Sequence, residues 1–398
     1  MSYRVVMTMR QSPSAARIFI KIFAAAFVLC WFSAAFGQQP QARHAELDSA
    51  GKLIFRMRLD EADTVIGGFI ARNPENPAGY FFHATALGYR LFFTPESDNT
   101  RELEQAIERA NGSCRDRAEK YCRSSETRLE GTVYLAMSHG LEALLALLEG
   151  RYLVMAPLGL KAWKLLREAV EIDPTFYDCY FGLGLCRYFT ATLPRVVKIM
   201  AQAYGFQGDR EQGLTDLRLA MKRGFFAGDA ARMMYVNIFC STERPDTTTL
   251  SLARDLYQRF PDNPLVHFRY GDILLRLKRY NKAEGIYREV ARRIEKNDPP
   301  FYRNRIFTRY SFDFRLGVCA RRTGRNTKAL EHFSRVLAGG NKVKPGYVVP
   351  MSHMHTAEIL LSNRERHTAK EHLERVLKYD EVKGSHKRAR ALLKQIGK

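Results

Sequence analysis

One spacing constrains this chain more than any other feature. A small residue in a helix-forming stretch is followed twelve positions on by a second small residue. Four further on comes a large apolar residue, and three beyond that another apolar or small one. The cleanest copy is Gly271, Ala283, Tyr287 and Val290. Gly317, Ala329, Phe333 and Val336 form a second, and Ala357, Ala369, Leu373 and Val376 a third. Near the start, Ala50, Ala62, Ile66 and Phe69 keep the same steps and close on Pro74. Second-helix halves recur as Ala162, Leu166 and Ala169, closing on Pro174, and as Gly213, Leu217 and Ala220. First-helix halves recur at Tyr80–Ala84 and at Tyr180, Leu183 and Gly184. Antiparallel helices approach closely only where side chains are small, so the small residue of one helix is expected to face that of its partner. Apolar spacing of three and four covers nearly everything after Leu47, and alternating strand-like runs are almost absent. A single pair cannot bury its apolar face, whereas stacked pairs can. The expected fold is all-α: a right-handed superhelical solenoid of antiparallel helix pairs with inserted loops, over residues 38–398.

This pattern resembles the tetratricopeptide repeat (TPR) superfamily across most of residues 42–398, most strongly over 264–337. The usual first-helix Trp is replaced by Tyr80, Tyr180 and His267. The connection PPFYRNRIFTRYS puts Gly271 and Gly317 46 residues apart instead of the usual 34. The resemblance implies a non-enzymatic scaffold that binds a protein or peptide in its concave groove. In superfamily members that grip a peptide carboxylate, Lys and Asn occupy the inner positions. Phe and Arg stand there in this chain, so that role is not implied.

The first 37 residues read as an address. They hold Arg4, Arg10, Arg17 and Lys21 but no acid, and Ile22–Phe36 is an apolar run of signal-peptide length. Ala35 and Gly37 place small residues before a cut ahead of Gln38; an uncleaved anchor is the alternative. Export to a periplasmic or envelope location, or secretion, is the expectation. Cleavage removes four positive charges from a formal +21, leaving +17. Such a charge attracts polyanions. For an exported protein these are anionic membrane or cell-wall surfaces or an acidic protein, and nucleic acid is not expected. A basic, solvated surface without a specific partner is the plain alternative. Six of the seven cysteines remain: Cys114, Cys122, Cys179, Cys186, Cys240 and Cys319. Cys114 and Cys122 lie in a polar stretch where a disulfide is possible. Cys179 and Cys186 sit two turns apart on one helix, too far to bridge.

Two segments do not fit the repeat. Residues 94–125 are polar and charge-dense, and are expected to form a helical excursion or loop. Residues 191–209 (ATLPRVVKIMAQAYGFQGD) are apolar and basic. They read either as a surface segment for a partner or membrane, or as a helix packed into the concave side. Residues 384–398 read as a basic capping helix. No zinc spacing, HExxH, phosphate-binding loop or nucleophile elbow occurs. No catalytic residue, cofactor or metal is therefore assigned, and His353 and His355, two apart, point to different helix faces. Asn111-Gly112-Ser113 is a glycosylation sequon.

What remains is a surface. Three residues before the small first-helix residue stand Phe81, Phe181, Phe268 and Phe314, with Tyr188, Arg276, Arg321 and Arg322 further along the same helices. Exposed in a groove, this ladder suits an extended peptide with apolar and acidic side chains; packed against the next repeat, it is core. The function expected is an exported scaffold for protein or peptide binding. Its alternative is peripheral binding to an anionic envelope surface through the basic charge and the 191–209 insert.

Overall fold

The computed structural model describes residues 45–93, 100–192, 208–298, 308–339, 346–382 and 384–397, with positions 198, 202, 205, 206 and 301. The expected signal peptide, residues 94–99 and most of the 191–209 insert lie outside the described residues.

The described residues hold seventeen helices and no strand. They gather into two compact units, one reaching to Val266 and the other beginning at His267. The first unit contains five helix pairs. These are α1 (Ala45–Phe55) with α2 (Leu59–Arg72), α3 (Pro77–Phe93) with α4 (Thr100–Tyr121), and α5 (Arg128–Leu148) with α6 (Tyr152–Ile172). There follow α7 (Cys179–Thr192) with α8 (Arg210–Arg223), and α9 (Ala227–Ser241) with α10 (Thr247–Arg259). Helix α11 (Pro264–Arg276) carries the chain into the second unit. There it pairs with α12 (Tyr280–Glu295), followed by α13 (Arg309–Arg322) with α14 (Asn326–Ala338) and α15 (Val348–Ser362) with α16 (Arg366–Val376). The basic helix α17 (Ser385–Ile396) ends the array and buries Ala389 in the cluster of Ala357, Ala369, Leu373 and Val376.

The register is visible in the backbone. Seven residues after the small first-helix residue the chain turns through one left-handed position: Met57 (φ 63), Lys278 (φ 59), Gly324 (φ 78) and Arg364 (φ 67). A glycine stands at only one of these four. Tyr80 and Tyr180, in place of the usual Trp, each donate a hydroxyl hydrogen bond to the carbonyl of the proline six residues before, Pro74 (3.0 Å) and Pro174 (3.2 Å).

Every packing residue of the repeat is buried: Ala62, Ala162, Gly184, Gly271, Ala283, Gly317, Ala329, Ala357 and Ala369. What they face differs from the small-on-small expectation in two pairs. A Cβ on Gly271 would lie 2.5 Å from the Tyr287 ring, and one on Gly317 2.6 Å from the Phe333 ring. The glycine therefore makes room for the aromatic one turn beyond the partner alanine. In the fourth pair two small residues do meet: a Cβ on Gly184 would come within 2.8 Å of the Gly213 carbonyl.

Residues 100–121 are not an excursion; they are α4, the second helix of a pair, burying Ile107, Ala110, Cys114 and Ala118. Its charges sit on the outer face and hide the register. Cys114 and Cys122 are free thiols, eight residues apart and so about 12 Å along the helix, which excludes a bridge. Cys114 is fully buried, and burial pushes its thiol far above the ordinary range. Alkylation of unfolded, unreduced protein should label both residues; mass addition at neither would restore the disulfide. The sequon also fails: Asn111 is buried within α4 and donates to the Ser138 carbonyl at 3.2 Å.

Asp178, at the entry to α7, is buried and binds the start of α9. Its carboxylate accepts from the backbone N–H of Phe225 (3.2 Å), Phe226 (3.0 Å) and Ala227 (2.6 Å). Burial pushes this carboxyl up to about 7, against those three donors. A raised folded-state value means the native protein holds the proton more tightly than the unfolded chain. Stability should therefore fall as pH rises from about 4 to 7 and then level off. Urea unfolding at several pH values should show this slope flattened in Asp178→Asn. An equal slope in the variant would assign it to other groups.

Candidate functional site

The predicted groove residues are mostly core. Phe81, Phe181, Phe268 and Phe314 are 0, 2, 3 and 8% exposed, and Tyr188 is fully buried. Three residues at 100° each bring a side chain to 60° from the small residue, on the side turned to the next pair. Phe81 accordingly meets Tyr134 of α5, with ring centroids 5.9 Å apart, and Phe268 meets Phe312 of α13 at 5.6 Å. Phe314 packs on Phe333, Tyr347 and His355. The Tyr188 hydroxyl donates to Glu243 at 2.7 Å, tying α7 to the residues after α9. Arg321 is ion-paired with Glu358 at 2.6 Å, whereas Arg276 and Arg322 are exposed. Early and late pairs of the first unit also touch one another. Phe55 packs on Phe260 (5.2 Å), Phe82 on Phe226 (5.7 Å), and the Asn263 side chain donates to the Phe55 carbonyl (3.0 Å).

The histidines go separate ways, as the two-residue spacing requires. His353 Nδ1 lies 2.8 Å from His372 Nδ1, whereas the His355 ring stacks on Phe333 at 5.4 Å. Among the described residues no group of three or more His, Cys, Asp or Glu is gathered for a metal.

An open concavity lies elsewhere in the first unit. It is a cleft of about 360 Å³ lined by Trp163 and Arg167 of α6, Arg187 of α7, Gly205, Asp209 and Gln212 of α8. Trp163 is buried and serves as an aromatic floor, with Phe206 beside it (centroids 6.5 Å) and the Arg187 guanidinium 5.6 Å from its ring centre. Arg187 is held by an ion pair with buried Asp216, which also accepts from Gln212 Nε2 at 2.8 Å. Burial pushes the Asp216 carboxyl up, opposed by Gln212 and Arg187. Asp209 caps α8 by accepting from the Gln212 N–H at 3.0 Å, and its own N–H donates to the Arg187 carbonyl at 3.1 Å. Gly208 permits this junction, since a Cβ there would lie 2.5 Å from the Ala191 nitrogen. Arg167 stands exposed on the rim, 3.6 Å from Glu171. Fixed donors and acceptors of both signs over an indole suit a polar polypeptide segment. Sequence reading passed over this site because its residues come from three helices. The signals present were a tryptophan and the Gly-Asp pair closing the insert.

Residues 250–299, spanning most of α10, α11 and α12, match the tetratricopeptide repeat family. No curated protein matches the chain. Among solved structures, it is similar to the human IFIT1 dimer with m7Gppp-AAAA at 14% identity, covering 92% of this chain and 87% of that one (TM-score 0.43). Yeast Tom70 is similar at 14% identity, with 90% and 82% covered (TM-score 0.37). The P58(IPK) TPR domain is similar at 15% identity, with 89% and 97% covered (TM-score 0.25). The matched stretch places a tetratricopeptide-type repeat in this all-α chain, across the helices where the small-residue register is cleanest.

Proposed function

We propose that this protein is an exported, non-enzymatic scaffold that holds a segment of a partner protein in the cleft between α6, α7 and α8. The observation that carries this reading is the cleft itself. It is open, floored by Trp163, and walled by side chains already fixed by Asp216 and the α8 cap. Preformed walls lower the ordering cost of binding. The reading moves the binding site away from the phenylalanine column, which is spent on packing between pairs.

A photo-crosslinking residue at position 167, compared with one at exposed Lys378, tests the site in cells. One partner captured at 167 alone, and lost from Arg167→Glu when the crosslinker is moved to Gln212, supports the cleft. Identical capture at both positions, or capture unchanged by Arg167→Glu, overturns it. Export is checked separately: the mature protein should begin at Gln38, and an intact Met1 on the envelope fraction would refute cleavage.

A further inference from the structure

Helix α6 begins with YLVMAPLGL, nine residues without a charge. Such a run at a helix start in a folded protein is ordinarily covered. Here Leu153 is 92% exposed and Val154 40%, and Ala156 and Pro157 are exposed beside them. Among the described residues the other large exposed apolar side chains, Ile172, Phe225 and Tyr379, stand singly. Two adjacent aliphatic side chains in water at one helix end are a surface awaiting an occupant.

The charges around this tip have one sign. Arg151 precedes it, and Lys161, Lys164 and Arg167 follow, all exposed. No acid occurs from Gly150 to Arg167. The flanking Glu149 and Glu168 are engaged by Arg151 and Arg128. At 100° per residue, Leu153, Pro157, Lys161 and Lys164 fall within one stripe about 80° wide. Eight residues separate Leu153 from Lys161, about 12 Å along the axis. That offset suits apolar side chains at the edge of the acyl region with ammonium groups at the phosphates, reached by snorkelling. Pro157 has no N–H to give the Leu153 carbonyl. No helix among the described residues is long and apolar enough to cross a membrane.

We infer that the N-terminal turns of α6 are a docking tip for an anionic lipid bilayer surface, with Leu153 and Val154 entering the interface and Lys161 and Lys164 meeting lipid phosphates. Charge complementarity selects this occupant. Protein hot spots centre on aromatic anchors, whereas the exposed apolar side chains Leu153 and Val154 are aliphatic, and the collar of Arg151, Lys161, Lys164 and Arg167 is wholly cationic. The inference does not depend on the cleft, whose partner binding is read by a different variant.

The test is co-sedimentation of the mature chain with vesicles of phosphatidylcholine alone or with about a third phosphatidylglycerol. The wild type should pellet with the anionic vesicles and be released as salt is raised. Leu153→Glu/Val154→Glu should lower partitioning by about 100-fold, and Lys161→Glu/Lys164→Glu by about 10- to 100-fold. Both pairs are exposed, and circular dichroism should show both variants folded. In Leu153→Trp, the indole emission should shift to the blue on anionic vesicles. Absence of binding, equal binding by the variants, or no blue shift overturns the inference. So does sedimentation velocity showing a dimer that Leu153→Glu dissolves, which would assign the tip to a second copy.

Discussion

Arg315→Ala is expected to cost about 3 kcal/mol, because it strands a largely buried carboxylate. Arg315 is itself buried on α13. It donates from Nε to Asp272 Oδ1 (2.6 Å) and from Nη2 to Asp272 Oδ2 (3.2 Å) and to the Tyr347 hydroxyl (3.0 Å). Its guanidinium also lies 3.9 Å from the Phe268 ring centre. Asp272 accepts further from the Tyr287 hydroxyl at 2.8 Å. Burial would raise the Asp272 carboxyl, but Arg315 and Arg269 outweigh it and hold it below the usual carboxylate range. Three helices and the residue preceding α15 thus share one polar knot. Hydrogen exchange should show α11 and α13 opening together in Arg315→Ala. In Arg315→Met/Asp272→Leu much of the loss should return, since neither charge is left unpaired. A single change costing under about 1 kcal/mol would show the knot to be solvated and weak.

Gly317→Val is expected to cost about 3 kcal/mol, the upper end for overpacking. The added Cβ would sit 2.6 Å from the Phe333 Cε1, and the ring is fully buried with no room to retreat. A smaller residue across the contact should relieve the clash. Gly317→Val in a Phe333→Leu background should therefore cost clearly less than in the wild type, a coupling a double-mutant cycle measures directly. Additive costs would mean that the glycine is required for something other than the aromatic. The same logic applies to Gly271 and Tyr287.

These two sites show how far the residues alone could be read. Gly271, Gly317 and their partner alanines announced helix pairs because close helix approach permits so few side chains. The left-handed turn seven residues later kept that register even where Met57, Lys278 and Arg364 replaced glycine. Helix α10 was harder to read. It keeps the second-helix steps as Thr249, Ala253 and Leu256, all buried, but with Thr in the small position and Ala in the large one. The acidic and basic residues of α4 masked its apolar stripe in the same way.

The chain of residues by itself determined the all-α class, the pairing register and the positions where helices must touch, since those follow from side-chain size and the 3.6-residue period. Only the tertiary structure decided which faces stay open. The phenylalanine column became core because the next pair covers the 60° flank of each helix, and no local spacing records how close that pair comes. The cleft exists because Trp163, Arg187 and Asp209 converge from separate helices. The α6 tip stands exposed because no neighbouring element among the described residues covers Leu153. Exposure depends on neighbours far along the chain, and periodicity within one helix carries no record of them.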